Sequence, residues 1–168
     1  EGIATVLINR PEAMNALNVS VVKQLGEAIG SLNSREDVHT IVLEGAGKAF
    51  VAGADVKFFV DMIEQDSFHK VYEFTADGHD VFNAIESSTK TTIAMTTGLA
   101  LGGGLELALA CDYRVGTEKT MLRFPETSIG IFYDSDIGST LTYQGTVVAN
   151  RTYQDDSNDI WDMSIMFD

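Results

Sequence analysis

The sequence predicts an α/β fold in which a largely parallel sheet is covered by helices. Strand-like runs rich in branched residues alternate with stretches of helical apolar spacing. Two glycine-rich junctions lead from a strand or loop into a helix. The chain has 168 residues, 45% hydrophobic and 21% charged, which is enough for one domain with its own core.

The elements follow in order. "IATVLINR" (3–10) alternates and reads as a strand that Pro11 breaks. From Ser20, the positions Val22, Leu25, Ile29 and Leu32 keep helical spacing, with Asn18 or Ser20 available as a cap. "HTIVLEG" (39–45) is a second strand, and "GAGKAFVAGA" reads as a loop. A short helix over 55–63 carries Asp55 in its first turn. A longer one spans about 66–86, with Phe68, Val71, Tyr72, Phe82 and Ile85 as candidate buried positions. "TTIAMTT" (91–97) is a third strand closed by Gly98, and residues 104–110 make a short helix. "DYRVGT" is a fourth strand, with "TMLRF" a candidate fifth. Beyond residue 132 the chain turns polar and acidic and loses helical periodicity.

Composition excludes several classes of function. A net charge of −14 argues against nucleic acid and anionic membrane surfaces, and leaves a polyanionic ligand dependent on local N–H groups or lysines. No run of 18 apolar residues suggests a membrane span. No basic segment followed by an apolar one opens the chain, so no signal peptide is visible. The opening lacks Met and falls inside an apolar run, which suggests a cut chain or a fragment. Cys111 is the single cysteine, in keeping with a reducing compartment. His39, His69 and His79 form no metal-ligand pattern with it, so no metal is expected.

The stretch "GLALGGGLELALAC" (98–111) poses the chemical question. It is apolar or glycine throughout, except for Glu106. Gly102 and Gly104 give G-x-G, but the next glycine of a dinucleotide fingerprint would fall on Leu107, and no P-loop lysine follows. No G-x-S-x-G nucleophile signature occurs. The first N–H groups of a helix lack internal partners, so Ala54 and Gly103, each just before a helix, could aim donors outward. Two such donors on one oxygen make an oxyanion hole, and glycine at 103 leaves its approach open. On composition alone, glycine before a helix is more commonly ordinary turn chemistry. Glu106 and Glu126 are candidate proton-transfer acids, since a carboxyl among apolar groups has a raised pKa. By spacing alone, a cap or solvent-facing role for Glu106 and a first-turn role for Glu126 are the favoured readings.

Taken together, "NRPEAMNAL", "KAFVAGADVKFF", "GLALGGGLELALACDYRVGTEK" and "FPETSIGIF" resemble, in order and spacing, the successive motifs of the crotonase superfamily, the enoyl-CoA hydratases and isomerases. The resemblance covers about residues 2–132. It implies a crotonase-like (ClpP/crotonase) spiral of strand–strand–helix units, and an acyl-CoA-binding core over 1–132. It implies further that Ala54 and Gly103 hold the thioester oxygen, and that Glu106 and Glu126 are the two catalytic glutamates of a hydratase. Ala52, Gly53, Asp55, Lys57, Gly102 and Gly104 would line the CoA and substrate path, with Lys57 meeting a CoA phosphate. The implied substrate is an enoyl-CoA thioester in fatty-acid β-oxidation. No cofactor, metal, nucleic acid or membrane is implied, and the assembly would be a homotrimer or hexamer. The compartment would be the cytoplasm, or a mitochondrial or peroxisomal matrix in a eukaryote. The chain also departs from the family. "IGIF" is followed, after Tyr133, by Asp134, which resembles the 3-hydroxyisobutyryl-CoA hydrolase branch. The tail over 133–168 lacks the usual C-terminal helices, and the first N-terminal strand is missing, so a core truncated at both ends is expected. A thioester hydrolase or isomerase, and a non-catalytic CoA-ester-binding remnant, are the alternative readings.

Overall fold

A computed structural model describes residues 2–125, 152–154 and 160–162. The chain runs β1 (Ile3–Ile8), a 3-10 turn (Pro11–Ala13), α1 (Val19–Asn33), β2 (Thr40–Gly45), β3 (Ala49–Ala52), α2 (Val56–Glu64) and α3 (Phe68–Glu86). It continues through β4 (Thr91–Thr96), β5 (Leu99–Leu101), α4 (Gly103–Leu109), β6 (Tyr113–Gly116) and β7 (Met121–Arg123). Within the tail, β8 (Thr152–Gln154) and β9 (Ile160–Asp162) pair antiparallel.

The strands separate into two parallel sheets, ordered β1-β2-β4-β6 and β3-β5-β7. Each successive pair, β2/β3, β4/β5 and β6/β7, gives its first strand to one sheet and its second to the other. Helices follow the first two pairs, which is the expected spiral of strand–strand–helix units. The four strands read first in the sequence, three of six residues and β6 of four, all lie in the first sheet. Two elements of the second sheet correct the sequence reading. The "GAGKAFVAGA" segment contains β3 rather than loop alone, and Leu99–Leu101 forms β5. Both are too short for an alternating pattern to register, and their neighbours, not their own sequence, hold them extended.

The core lies where α1 and α3 cover the first sheet. Val22, Leu25 and Ile29 point inward from α1 as their spacing requires, with Leu32 packed at the margin. Asn18 caps α1, its side-chain oxygen accepting the Val21 N–H at 2.9 Å. Gly26 lets α3 come close, since a Cβ there would sit 3.0 Å from Val81 Cγ2. Ile41 and Leu43 of β2, Phe50 and Val51 of β3 and Leu107 of α4 complete the buried cluster. Burying each large side chain contributes about 1.5–3 kcal/mol before chain entropy is counted.

The face of α3 differs from the expected one. Phe82 and Ile85 are buried, but Phe68 is 58% and Tyr72 77% exposed, and Phe74 and Val81 take their places in the core. At roughly 100° per residue, Phe68 and Tyr72 lie a quarter-turn or more from the face centred on Phe74, Val81 and Ile85. Two apolar stripes run along this helix, and only one meets α1. The other is exposed, as are Val56, Val60 and Ile63 of α2. α2 itself is anchored by Phe58 and Phe59, whose rings lie 5.1 and 5.6 Å from that of Phe74.

Candidate active site

The C-terminal ends of β3 and β5 lie side by side, with Ala52 opposite Leu101. The chain leaving β3 enters α2 through Gly53, Ala54 and Asp55, and the chain leaving β5 enters α4 through Gly102. Two helix entrances are thereby set next to each other at the carboxyl ends of neighbouring parallel strands, where α/β folds characteristically form their crevices.

Leu17 ties the two entrances together. Its N–H donates to Gly53 O at 2.8 Å and its carbonyl accepts the Asp55 N–H at 2.7 Å, a parallel bridge centred on Ala54. In such a bridge the central residue's own N–H points away from the partner strand. No acceptor among the described residues takes the Ala54 N–H. On its other side, Leu17 Cδ1 lies 3.5 Å from where a Cβ would stand on Gly103. The first N–H groups of α4, at Gly103 and Gly104, likewise have no backbone acceptor among the described residues, as expected for a helix N-terminus.

The three glycines have three different reasons. Gly102 has φ 49° and ψ −126°, a conformation open to glycine and few other residues. A Cβ on Gly104 would stand 2.0 Å from Val51 O, so α4 could not lie on β3. At Gly103 the fold makes no such demand. The backbone is helical, and among the described residues a Cβ would meet only Leu17 Cδ1 and Glu106 Oε2, each at 3.5 Å, an ordinary contact. Among the described residues, then, packing does not require the middle glycine, and its face stands open. Glu106 stands beside that face because helical side chains three residues apart share one side and lean toward the N-terminus. It is half-buried and in the first turn of α4.

α4 is held from its far end too. Arg114 Nη1 donates to the carbonyls of Cys111 at 2.7 Å and of Ala108 and Leu109 at 3.3 Å, capping the helix with a cation at its negative end. Asp112 Oδ2 accepts from the buried Thr92 at both N–H (2.7 Å) and Oγ1 (2.9 Å). Cys111 is buried beneath, and that burial pushes its thiol up to about 12.

Of the other residues singled out from sequence, Ala52 ends β3, and Gly53 adopts φ 79°. Lys57 is exposed on the first turn of α2. Asp55 is the N-cap of α2, accepting the Lys57 N–H at 3.1 Å and Arg10 Nη2 at 2.6 Å. The hydrogen bond from Arg10 leads the causes that hold its carboxyl below the ordinary value. Glu126 lies outside the described residues. Arg10, Asn15 and Leu17 were not singled out. Asn15 is wholly buried at φ 60°, its Nδ2 donating to Ala46 O (2.9 Å) and Ala49 O (2.8 Å). The one sequence signal of Arg10 and Asn15 is that they are polar residues inside the "NRPEAMNAL" motif, with Asn suited to left-handed backbone. Among the described residues no group of three or more His, Cys, Asp or Glu is placed to hold a metal, and no helix is long and apolar enough to cross a membrane.

Strand–strand–helix units that feed two parallel sheets, with two helix entrances side by side at the ends of β3 and β5, define an α/β spiral fold. Residues 3–145 match the enoyl-CoA hydratase/isomerase family, and the chain belongs to it. A crotonyl-CoA hydratase of Syntrophomonas wolfei is 40% identical over 132 residues, covering 78% of this chain and 49% of that protein. A short-chain-enoyl-CoA hydratase of Clostridium acetobutylicum is 39% identical over 130 residues, 77% of this chain and 48% of its own length. The solved enoyl-CoA hydratase of Bacillus anthracis superposes with a TM-score of 0.73 at 32% identity, covering 79% of this chain and 50% of that one. An enoyl-CoA hydratase/carnithine racemase of Magnetospirillum magneticum gives 0.75 at 31% identity, over 81% and 51% of the two chains. The chain thus spans about half the length of the relatives it matches.

Proposed function

We propose that this chain binds a 2-enoyl-CoA thioester and adds water across its double bond. The single observation that carries the reading is the placement of the Glu106 carboxylate at the open face of Gly103. The thioester oxygen accepts the Ala54 and Gly103 N–H groups, which gives the enolate a place to hold its charge as water attacks. Glu106 orients a water and takes its proton while the hydroxide adds to C3. Glu126 delivers a proton to C2 on the same face, so the net change is addition of H and OH. Two carboxyls in one pocket can divide acid and base roles in this way.

Ala52, Gly53, Gly102 and Gly104 shape the path of the acyl and pantetheine groups, and Lys57, exposed on α2, meets a CoA phosphate. Asp55 contributes by fixing the start of α2. The chemistry draws on no cofactor or metal. A homotrimer or hexamer, and a place in fatty-acid β-oxidation, belong to the same reading. Val56, Val60, Ile63, Phe68 and Tyr72 are exposed on α2 and α3; slow turnover belongs to the same reading, since a cleft open to water weakens electrostatic help to the enolate.

Crotonyl-CoA hydration by this chain and by Glu106→Gln tests the proposal. Turnover that the substitution lowers about a hundredfold supports it. Equal rates in the two proteins contradict it, and retained thioester hydrolysis or double-bond isomerisation would assign the site to that chemistry.

A further inference from the structure

We infer that Arg10 is a positioning residue that fixes the direction of the Ala54 N–H, a role resting on the acyl-thioester reading for its catalytic consequence but not for its geometry. Arg10 lies two residues after β1 and 44 positions before Ala54 in the chain, yet its guanidinium reaches both sides of the bridge that centres on Ala54. Nη2 donates to Asp55 Oδ2 at 2.6 Å, directly after Ala54. Nη1 donates to Ala16 O at 3.1 Å, directly before Leu17. The bridge itself consists of two hydrogen bonds, Leu17 N–H to Gly53 O and Asp55 N–H to Leu17 O. One planar fork thus ties the residue preceding one strand of the bridge to the residue ending the other.

The arginine is in turn fixed by its own backbone. Its N–H donates to Asn15 Oδ1 at 2.8 Å, and the Asn15 N–H returns to Arg10 O at 2.9 Å. Asn15 then reaches Ala46, just after β2, and Ala49, at the start of β3. With Asn15, Ala16 and Leu17 buried, the loop from β1 to α1 is therefore a clamp around the β3–α2 junction. A bridge of two backbone hydrogen bonds outside any sheet is weak by itself. A charge-assisted pair with both side chains largely shielded, 26% and 18% exposed, stiffens it. Displacing a transition-state donor by about 1 Å can cost a hundredfold in rate, so holding this N–H in line matters more to turnover than to binding. Lysine carries its donors on one nitrogen without the planar fork, so it holds the two acceptors less firmly.

The test is 15N relaxation on the full 168-residue chain, comparing the wild type with Arg10→Gln, Arg10→Lys and Asp55→Asn. Asparagine is itself a good N-cap, so the last variant keeps the start of α2 while removing the charge. In the wild type the Ala54 N–H order parameter should be near 0.85, falling toward 0.6 or below in Arg10→Gln and Asp55→Asn and to an intermediate value in Arg10→Lys, while the Ile29 and Ile41 amides stay unchanged. Hydration of crotonyl-CoA should lose about tenfold or more in kcat with KM within about twofold. An Ala54 N–H as ordered in folded Asp55→Asn or Arg10→Lys as in the wild type overturns the inference. So does a loss of order spread evenly over Ile29 and Ile41, which is a general loss of structure. If the relaxation result is as expected but the wild type shows no Glu106-dependent hydration, the hydratase reading fails and the positioning of Ala54 stands.

Discussion

Gly103→Ala and Gly104→Ala separate function from packing at adjacent positions. A methyl on Gly104 would stand 2.0 Å from Val51 O, 2.7 Å from Val51 C and 2.8 Å from Val51 Cβ. Ordinary carbon contacts need about 3.5 Å, so α4 and β3 must separate by roughly 1 Å or more. Both are backbone, held by the sheet and by the Arg114 cap, so no side chain can swing aside. Overpacking of this kind costs about 1–3 kcal/mol, and the rigid neighbours place it at the upper end. At Gly103 the methyl meets Leu17 Cδ1 and Glu106 Oε2 at 3.5 Å in a helical backbone. There the loss of unfolded-state freedom stabilises the protein by about 0.4–1 kcal/mol. The two variants should therefore differ by about 2–4 kcal/mol, or roughly 5–15 °C in Tm for a chain of this size. Turnover should run the other way. The methyl of Gly103→Ala fills the face beside Glu106 and should lower hydration of crotonyl-CoA about a hundredfold, the effect of losing one oxyanion donor. Thermal unfolding and initial rates on both variants check this. Full activity in Gly103→Ala, or a destabilisation equal to that of Gly104→Ala, would refute the reasoning.

Three further outcomes are expected. Asp55 is depressed by its hydrogen bond from Arg10, so its pair contributes stability above its unfolded pKa of about 4, and that stability is lost as pH falls through the lower folded value; Asp55→Asn should flatten the acid limb of a urea-midpoint profile below about pH 4. Cys111, buried with its thiol near 12, should resist a disulfide reagent in the native state and react only at the rate of unfolding, measured against denaturant. Thr92→Val removes the hydroxyl that accepts the Asp112 N–H at 2.9 Å and donates to its carboxylate, and should cost about 1–3 kcal/mol in chemical denaturation.

The legibility of the fold follows element length. β1, β2 and β4 run six residues each and show their alternation, and α1 displays Val22, Leu25 and Ile29 at helical spacing, so the four-stranded sheet could be read before any coordinates. β3, β5 and β7 have three or four residues, and their second sheet is fixed by tertiary pairing that no local pattern encodes. α3 carries two apolar stripes, and periodicity cannot say which of them α1 covers. In the site, the relation of Glu106 to Gly103 follows from helical spacing alone. The difference between Gly103 and its two neighbours does not, because it depends on Val51 lying beneath Gly104. The Arg10–Asn15–Leu17 clamp is hidden for a similar reason: most of its partners, the Ala46 and Ala49 carbonyls, Gly53 and Asp55, lie about 30–45 positions further along the chain. Glu126, named beside Glu106 from the motif order, lies outside the described residues.

Titration of 15N-labelled chain with butyryl-CoA, a saturated thioester that cannot be hydrated, tests the oxyanion claim most directly. The Ala54 and Gly103 amide resonances should move downfield together, with one shared Kd, and free CoA should leave both in place. If butyryl-CoA binds and shifts neither amide, or if free CoA shifts them equally, the two N–H groups do not hold the thioester oxygen.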